Sequence, residues 1–315
     1  MIWKKLISIV LPCYGEEKNI YNTYTSLLDV LKTIKKYDFE IIFVNDGSPL
    51  NDWFEIAKLA AKDKIVKGVN LSRNFGKEIA ITAGIELSRG DAIITLDADG
   101  QHPVEKIPDF IHAWEEWYDI VYNKRPNIKW ASFIKTFSSK IFYYFFNKIS
   151  DFKLEPSTTD YRLLDRKVVD VFVSFKEKNR IYRGLVDWIG FNKKALIFDA
   201  LPNKEWRKAS YNFFKLLKLA MDSVTSFSLL PLKIVWYMWI LISIWSFLLF
   251  IFMLIDRNFG NKLHFSNIAF AVVINTLLIW IVLVSLGLIA LYIANIHEEV
   301  LNRPLYIVKE KINIK

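Results

Sequence analysis

The stretch Ala92–Pro103, AIITLDADGQHP, is a short apolar strand that runs into two aspartates one residue apart. Gly100 and Pro103 predict a bend directly after the pair. A bend there turns both carboxylates toward one point, where two unpartnered negative charges repel. A cation is the natural partner. Hard oxygen ligands suit Mg²⁺ or Mn²⁺, with phosphate oxygens and water completing the shell. Gln101, the single glutamine of the chain, offers a further oxygen. The alternative is an Asp-rich turn in solvent, but the apolar strand before the pair and the bend after it favour a metal. Asp97, Asp99 and Gln101 are therefore the candidate metal ligands.

Outward from this strand, Leu6–Leu11, Phe39–Val44, Ile65–Asn70 and Asp119–Tyr122 are also short runs rich in Ile and Val. Apolar residues three and four apart predict helices over about 16–36, 52–62, 76–88 and 104–117. Strands alternating with helices at this spacing imply an α/β fold, an open and mostly parallel sheet with helices on both faces. Ligands of such sheets bind beyond the carboxyl ends of the strands. Two more polar turns fall at that edge, Leu11–Glu17 (LPCYGEE) and Val44–Ser48 (VNDGS), with Asp52 soon after. Asp46 suits a hydrogen bond from a base N–H or a ribose hydroxyl, and Gly47 permits the tight turn. An Asp-Gly turn with no ligand is the plainer reading of that segment alone. Convergence of three polar turns on one edge outweighs any one of them.

The chain has 315 residues, with 42 basic against 33 acidic side chains and a net charge of +9. That balance suits anionic partners, such as nucleotide diphosphates or phospholipid headgroups. The basic residues form no dense stripe and the aromatics cluster beside apolar runs, so nucleic acid is not an expected partner. Cys13 is the only cysteine, which excludes an intrachain disulfide. The apolar run near the N-terminus is too short for a signal-peptide core, so the N-terminal domain is expected on the cytoplasmic side.

The second half changes character. Ala131–Ser150 and Tyr211–Leu230 mix lysines with Phe and Tyr at helical spacing, as helices lying in a membrane interface do; packing on the sheet is equally open for the first. Ile234–Ile255 and Ile268–Ile296 are 22 and 29 residues without a charge. The shorter reaches roughly 33 Å as a helix, enough for a hydrocarbon core of about 30 Å. Two C-terminal transmembrane helices are expected. Lys215, Lys218 and Lys233 precede the pair, and Arg303, Lys309, Lys311 and Lys315 follow it. By the positive-inside rule both flanks are cytoplasmic. The chain then divides into a catalytic domain (1–210), a juxtamembrane helix (211–233), a transmembrane hairpin (234–296) and a cytoplasmic tail (297–315).

The series LPCYGEE, VNDGSPLND, LSRNFGKEIAITAGIELSRGD, LDADGQHP, TTDYRLLDR and RIYRGLVDWIGF, followed by two apolar segments, resembles the family-two glycosyltransferases of GT-A fold. Within them it is similar to the polyprenyl-phosphate glycosyltransferases of the dolichol-phosphate mannosyltransferase and bactoprenol glucosyltransferase type. The resemblance implies inverting transfer of one sugar from a nucleotide sugar of the UDP-glucose or GDP-mannose type. The implied acceptor is a polyprenyl phosphate, undecaprenyl or dolichyl, at the cytoplasmic face of the inner membrane, in a homo-oligomer serving the cell envelope. It implies that Pro12, Tyr14, Glu16 and Asp46 line the nucleotide pocket and that Asp97, Asp99 and Gln101 hold Mg²⁺ or Mn²⁺. Asp160 matches the acidic residue often assigned as catalytic base. Arg125, Arg180, Arg183 and Arg207 match basic positions around the phosphates, with Lys204 the alternative to Arg207. The chain departs from the family at Gly15, where Asn is usual, and at Asn45, where Asp is usual. A polysaccharide synthase of the same fold needs a Gln-x-x-Arg-Trp motif, which a single glutamine at 101 excludes. The other alternative, a catalytically silent membrane scaffold, is disfavoured by intact Asp97, Asp99 and Asp160.

Overall fold

A computed structural model describes residues 4–125, 158–178, 180–199, 267–301 and 303–314, with isolated helical positions between 237 and 248. The chain divides into two compact units. One comprises Met1–Asn147, Phe152–Ser210 and Arg303–Lys315; the other comprises Lys148–Asp151 and Tyr211–Asn302.

Among the described residues the first unit has eight strands: β1 (Leu6–Cys13), β2 (Asp38–Asn45), β3 (Val66–Leu71), β4 (Ala92–Thr95), β5 (Ile120–Lys124), β6 (Thr158–Asp165), β7 (Lys193–Ile197) and β8 (Val308–Ile312). Their order across the sheet is β7-β5-β6-β4-β1-β2-β3-β8. β1 runs parallel to β2 and β4, β2 to β3, and β5 to β7. This is the mostly parallel α/β sheet that the alternation of strands and helices implied. Ile7, Ile9, Val10 and Leu11 of β1 are buried, as a central strand covered on both faces requires.

Helices α1 (Glu17–Leu31), α2 (Asp52–Lys62), α3 (Lys77–Leu87) and α4 (Ile107–Glu115) follow the first four strands, α4 after a 3₁₀ turn at Val104–Lys106. α1 buries Ile20, Thr23, Leu27 and Leu31, three and four residues apart, and leaves its other faces to solvent. α3 presses directly on β1: a Cβ on Gly84 would lie 2.3 Å from Cγ1 of Val10. α5 (Arg166–Ser174) starts at Asp165, whose side chain accepts the Lys167 N–H. α6 (Tyr182–Ile189) stops at Gly190 in the left-handed conformation.

Three strands lie outside what periodicity implied: β6, β7 at one edge of the sheet beside β5, and β8 at the other edge. β6 wedges antiparallel between β4 and β5, pairing Thr95 with Arg162 and Tyr122 with Arg162. An antiparallel strand starts where its parallel neighbours end. The first residues of β6, including Asp160, therefore stand beside the carboxyl end of β4, where Asp97 follows. β8 comes from the segment read as a separate tail. It pairs antiparallel with β3 and carries side-chain contacts to both sides. Trp53 Nε1 donates to Glu310 at 2.9 Å, and Asn313 Nδ2 donates to the carbonyls of Ala60 and Val66 at 2.7 and 2.8 Å. Tyr306 OH donates to Glu86 at 2.7 Å. The sheet is thus completed by the C-terminal segment, covering an edge that β3 would otherwise leave unpaired.

In the second unit α7 spans Asn267–Val300, 34 residues, and contains the second apolar segment. Its Ile268, Ile279, Leu283, Leu286 and Ile293 are each more than half exposed. Its side chains are described only in part, and among the described residues no helix is long and apolar enough to cross a membrane. Ala131–Ser150, Tyr211–Leu230 and most of Ile234–Ile255 lie outside the described residues.

Candidate active site

The turn after β4 is fastened at several points. Thr23 Oγ1 of α1 donates to the Ala98 carbonyl at 3.1 Å, and Tyr161 OH of β6 donates to the Pro103 carbonyl at 3.3 Å. Thr95 Oγ1 donates to the Asp160 carbonyl at 2.6 Å and lies 2.9 Å from Tyr182 OH. Gly100, at φ 71°, supplies the bend.

Asp97 and Asp160 meet around one lysine. Lys77 Nζ, from the first turn of α3, lies 2.7 Å from Asp97 Oδ1 and 2.7 Å from Asp160 Oδ2. On the far side Arg183 Nε lies 3.0 Å from Asp160 Oδ1, and its Nη1 donates to the Thr158 carbonyl. His102 Nε2 lies 3.2 Å from Asp97 Oδ2. Burial raises the pKa of Asp97, but the His102 hydrogen bond and the Lys77 charge outweigh it and hold the carboxyl far below the usual range. Asp160 is likewise lowered, burial being outweighed by Lys77 and Arg183. Burial draws Lys77 down, yet the two carboxylates leave it raised. All three groups are charged at neutral pH.

Asp99 stands differently from Asp97. Its two oxygens accept from the backbone N–H and the side-chain amide of Gln101, at 2.9 and 2.8 Å. Among the described residues no three His, Cys, Asp or Glu side chains converge as a metal-binding group. The donor set nonetheless fits a hard cation. Asp97 Oδ1 and Asp160 Oδ1 are buried, and each rests against a cation, the Lys77 ammonium at 2.7 Å and the Arg183 guanidinium at 3.0 Å. Buried carboxylate oxygens that already hold a cation suit Mg²⁺ or Mn²⁺ in its place, with exogenous oxygens completing the shell.

The nucleotide-pocket candidates cluster after β1 and β2. The Gly15 and Glu16 N–H groups donate to Ser48 Oγ at 3.2 Å and to Asp52 Oδ2 at 2.9 Å, which ties the two turns together. Pro12 lies within β1, partly buried, and Tyr14 is 49% exposed, an available aromatic face. Glu16 is buried and accepts from Asn19. Asp46 is buried and accepts the N–H groups of Phe75 and Gly76 at 2.7 and 2.9 Å. Its carboxylate thus anchors the loop that leads into Lys77. Gly47, at φ +61°, admits that loop: a Cβ there would sit 2.2 Å from the Arg73 carbonyl carbon. Asn45 donates from Nδ2 to Asn70 Oδ1 at 2.9 Å, a contact for which an aspartate has no N–H.

Of the basic candidates, Arg183 reaches the acidic cluster. Arg180 is buried elsewhere, donating to the carbonyls of Phe175 and Glu177, with Glu86 3.9 Å away. It braces the loop after α5, where carbonyls left by the helix end need donors. Arg125 follows β5, partly buried, and Arg207 lies outside the described residues. Lys77, Glu78 and His102 belong to the site although sequence reasoning did not assign them. A lysine in the first turn of α3 opposes the helix dipole, and that conflict was the available signal.

Glu78 yields a test of this electrostatic map. Its Oε2 accepts the Tyr182 N–H at 2.9 Å. Burial, then the Asp160 charge, push its pKa up from 4.5 to about 7. The folded state therefore holds a proton that the unfolded chain releases, so stability falls as pH rises through that window. Glu78→Gln keeps the acceptor and removes the charge. It is expected to be more stable than the wild type by about 3 kcal/mol at pH 8 and by less than about 1 kcal/mol at pH 5. Thermal unfolding at both pH values checks this; an equal gap at both would overturn it.

Comparison with known proteins gives this geometry its setting. Residues 8–172 match glycosyl transferase family 2. An uncharacterised glycosyltransferase of Synechocystis sp. is 38% identical over 96% of this chain and 95% of its own length. YkcC of Bacillus subtilis, also an uncharacterised glycosyltransferase, is 39% identical over 98% of this chain and 94% of its own. A prophage-derived bactoprenol glucosyl transferase of Shigella flexneri is 34% identical over 96% and 97%. The sheet topology, the acidic cluster at its carboxyl edge and these full-length matches agree: the chain is a glycosyltransferase and belongs to glycosyl transferase family 2.

Proposed function

We propose that the protein transfers one sugar, with inversion, from a nucleotide sugar to a polyprenyl phosphate at the cytoplasmic face of a membrane. The observation that carries this reading is the near full-length similarity to bactoprenol glucosyl transferases, which extends through the apolar C-terminal half. Asp97 and Asp99, with Gln101, would hold Mg²⁺ or Mn²⁺, which when bound neutralises charge developing on the departing diphosphate. Arg183 adds a fixed positive charge on the side of Asp160 away from Lys77. Asp160, ionised and held between two cations, orients the acceptor for attack from the opposite face. Tyr14, exposed beside the joined turns, offers a face for the base.

The membrane part of the reading rests on Ile268–Ile296, uncharged throughout and exposing large aliphatic side chains along α7. β7 (Lys193–Ile197) and β8 (Val308–Ile312) belong to one sheet, so the chain before and after the apolar segments lies on one side of any bilayer. That supports an even number of crossings between them, in keeping with a two-span hairpin and cytoplasmic termini.

The decisive assay incubates membranes containing the protein with a panel of labelled nucleotide sugars and either undecaprenyl or dolichyl phosphate. The expected result is lipid-linked label, dependent on Mg²⁺ or Mn²⁺ and lost in Asp97→Asn. Transfer only to water or to soluble sugars would sink the lipid acceptor.

A further inference from the structure

Lys77 occupies a position that the metal reading leaves unexplained. Its stem is open, the side chain being 43% exposed, while its ammonium sits between Asp97 and Asp160. Nothing in helix formation favours it there, since a cation at a helix N-terminus faces the positive end of the dipole. The placement is nonetheless built with care. Asp46 fixes the Phe75 and Gly76 amides, Gly47 leaves room for the loop, and Gly76 turns the chain at φ 101° so that α3 begins on Lys77. With Arg183 on the other side, two cations face the two carboxylates, and the pair is balanced before any ligand arrives.

We propose that Lys77 is a resident counter-cation that makes metal binding conditional on the nucleotide diphosphate. This rests on the reading of Asp97 as a metal ligand. A divalent cation entering alone would meet a carboxylate pair already neutralised, and would have to displace the ammonium into solvent at a net gain of positive charge. The same cation arriving with a diphosphate brings its own neutralising charge. The displaced ammonium then has an anion beside it in place of the carboxylates it leaves. Lysine suits this exchange because its ammonium is a compact point charge on a flexible stem. A metal held permanently by protein ligands would need no such placeholder. A cluster lacking one would leave Asp97 and Asp160 repelling each other until substrate came.

The test measures Mn²⁺ binding directly, by the loss of the free-ion EPR signal, on the full chain in detergent, with and without UDP or GDP. Wild type is expected to bind Mn²⁺ weakly alone and much more tightly with the diphosphate. Lys77→Met is expected to bind Mn²⁺ alone at least about tenfold more tightly than wild type, so that the nucleotide adds correspondingly less. Lys77→Arg keeps the charge and should retain the wild-type dependence. Without metal, Lys77→Met should melt below wild type, and Mn²⁺ should restore its Tm. That rescue is a readout even where the variant is poorly folded without the ion. Should wild type bind Mn²⁺ with nucleotide while Lys77→Met shows neither tighter binding nor rescue, the counter-cation role is wrong and the metal site stands. Should no variant bind Mn²⁺ under any condition, the metal reading itself fails and takes this inference with it.

Discussion

Asp160→Asn is expected to cut sugar transfer by about a thousandfold while leaving the protein folded. The substitution keeps the size of the side chain and the backbone carbonyl that accepts from Thr95 Oγ1. It removes the charge that Lys77 and Arg183 approach from opposite sides. Two roles for that charge can be separated by pH. A phosphate monoester has its second pKa at about 6, so the proposed acceptor, a lipid phosphate, is mostly dianionic at neutral pH and needs little deprotonation to attack. Asp160, whose pKa is lowered by the Lys77 and Arg183 charges against the effect of burial, is placed as an electrostatic anchor between two cations. The deficit of Asp160→Asn should therefore be the same at pH 6.5 and pH 9. Recovery toward wild-type rates at high pH would show that Asp160 takes a proton.

The parallel half of the sheet was legible because β1 to β4 are buried on both faces and so appear as runs of Ile and Val with helical periods between them. β6 was not. Thr158–Asp165 opens on three polar residues, has no regular alternation and holds an arginine, which reads as a loop. Its burial depends on a partner for that arginine far along the chain. β8 was hidden for a similar reason: Val308–Ile312 has three charged residues in five and becomes a strand through pairing with β3. At the site, Asp97, Asp160 and Arg183 were found by motif and are together in space. Asp46 was placed correctly at the edge, but its oxygens hold the 75–76 amides, a service to Lys77 that no spacing rule reveals. Arg180 resembled a phosphate ligand in the linear motif. In three dimensions it faces the carbonyls after α5, because Arg180 precedes the start of α6 while Arg183 lies inside it.

Asp187→Ala is expected to destabilise the first unit by about 3–5 kcal/mol, the cost of stranding a buried charge. Arg162 is fully buried, and Asp187 is nearly so. Arg162 Nη1 donates to Asp187 Oδ1 at 3.2 Å, its Nε donates to the Thr159 carbonyl, and its guanidinium lies 5.6 and 6.0 Å from the rings of Tyr122 and Tyr182. Satisfaction is incomplete, since Nη2 of Arg162 and Oδ2 of Asp187 have no hydrogen-bond partner among the described residues. A pair in that state contributes little net stability over an apolar substitute, yet breaking it is costly. Thermal unfolding should therefore show Arg162→Met with Asp187→Leu losing much less than either single variant. Additive losses would sink this account. The pair has a further consequence for chemistry. Arg162 lies two residues from Asp160 on β6, and Asp187 lies one helical turn from Arg183 on α6. The buried contact is thus the rivet between the strand that presents the acid and the helix that presents its arginine. The stabilised double variant should still transfer sugar more slowly than wild type, because an apolar pair holds α6 on β6 without setting the direction in which Arg183 meets Asp160.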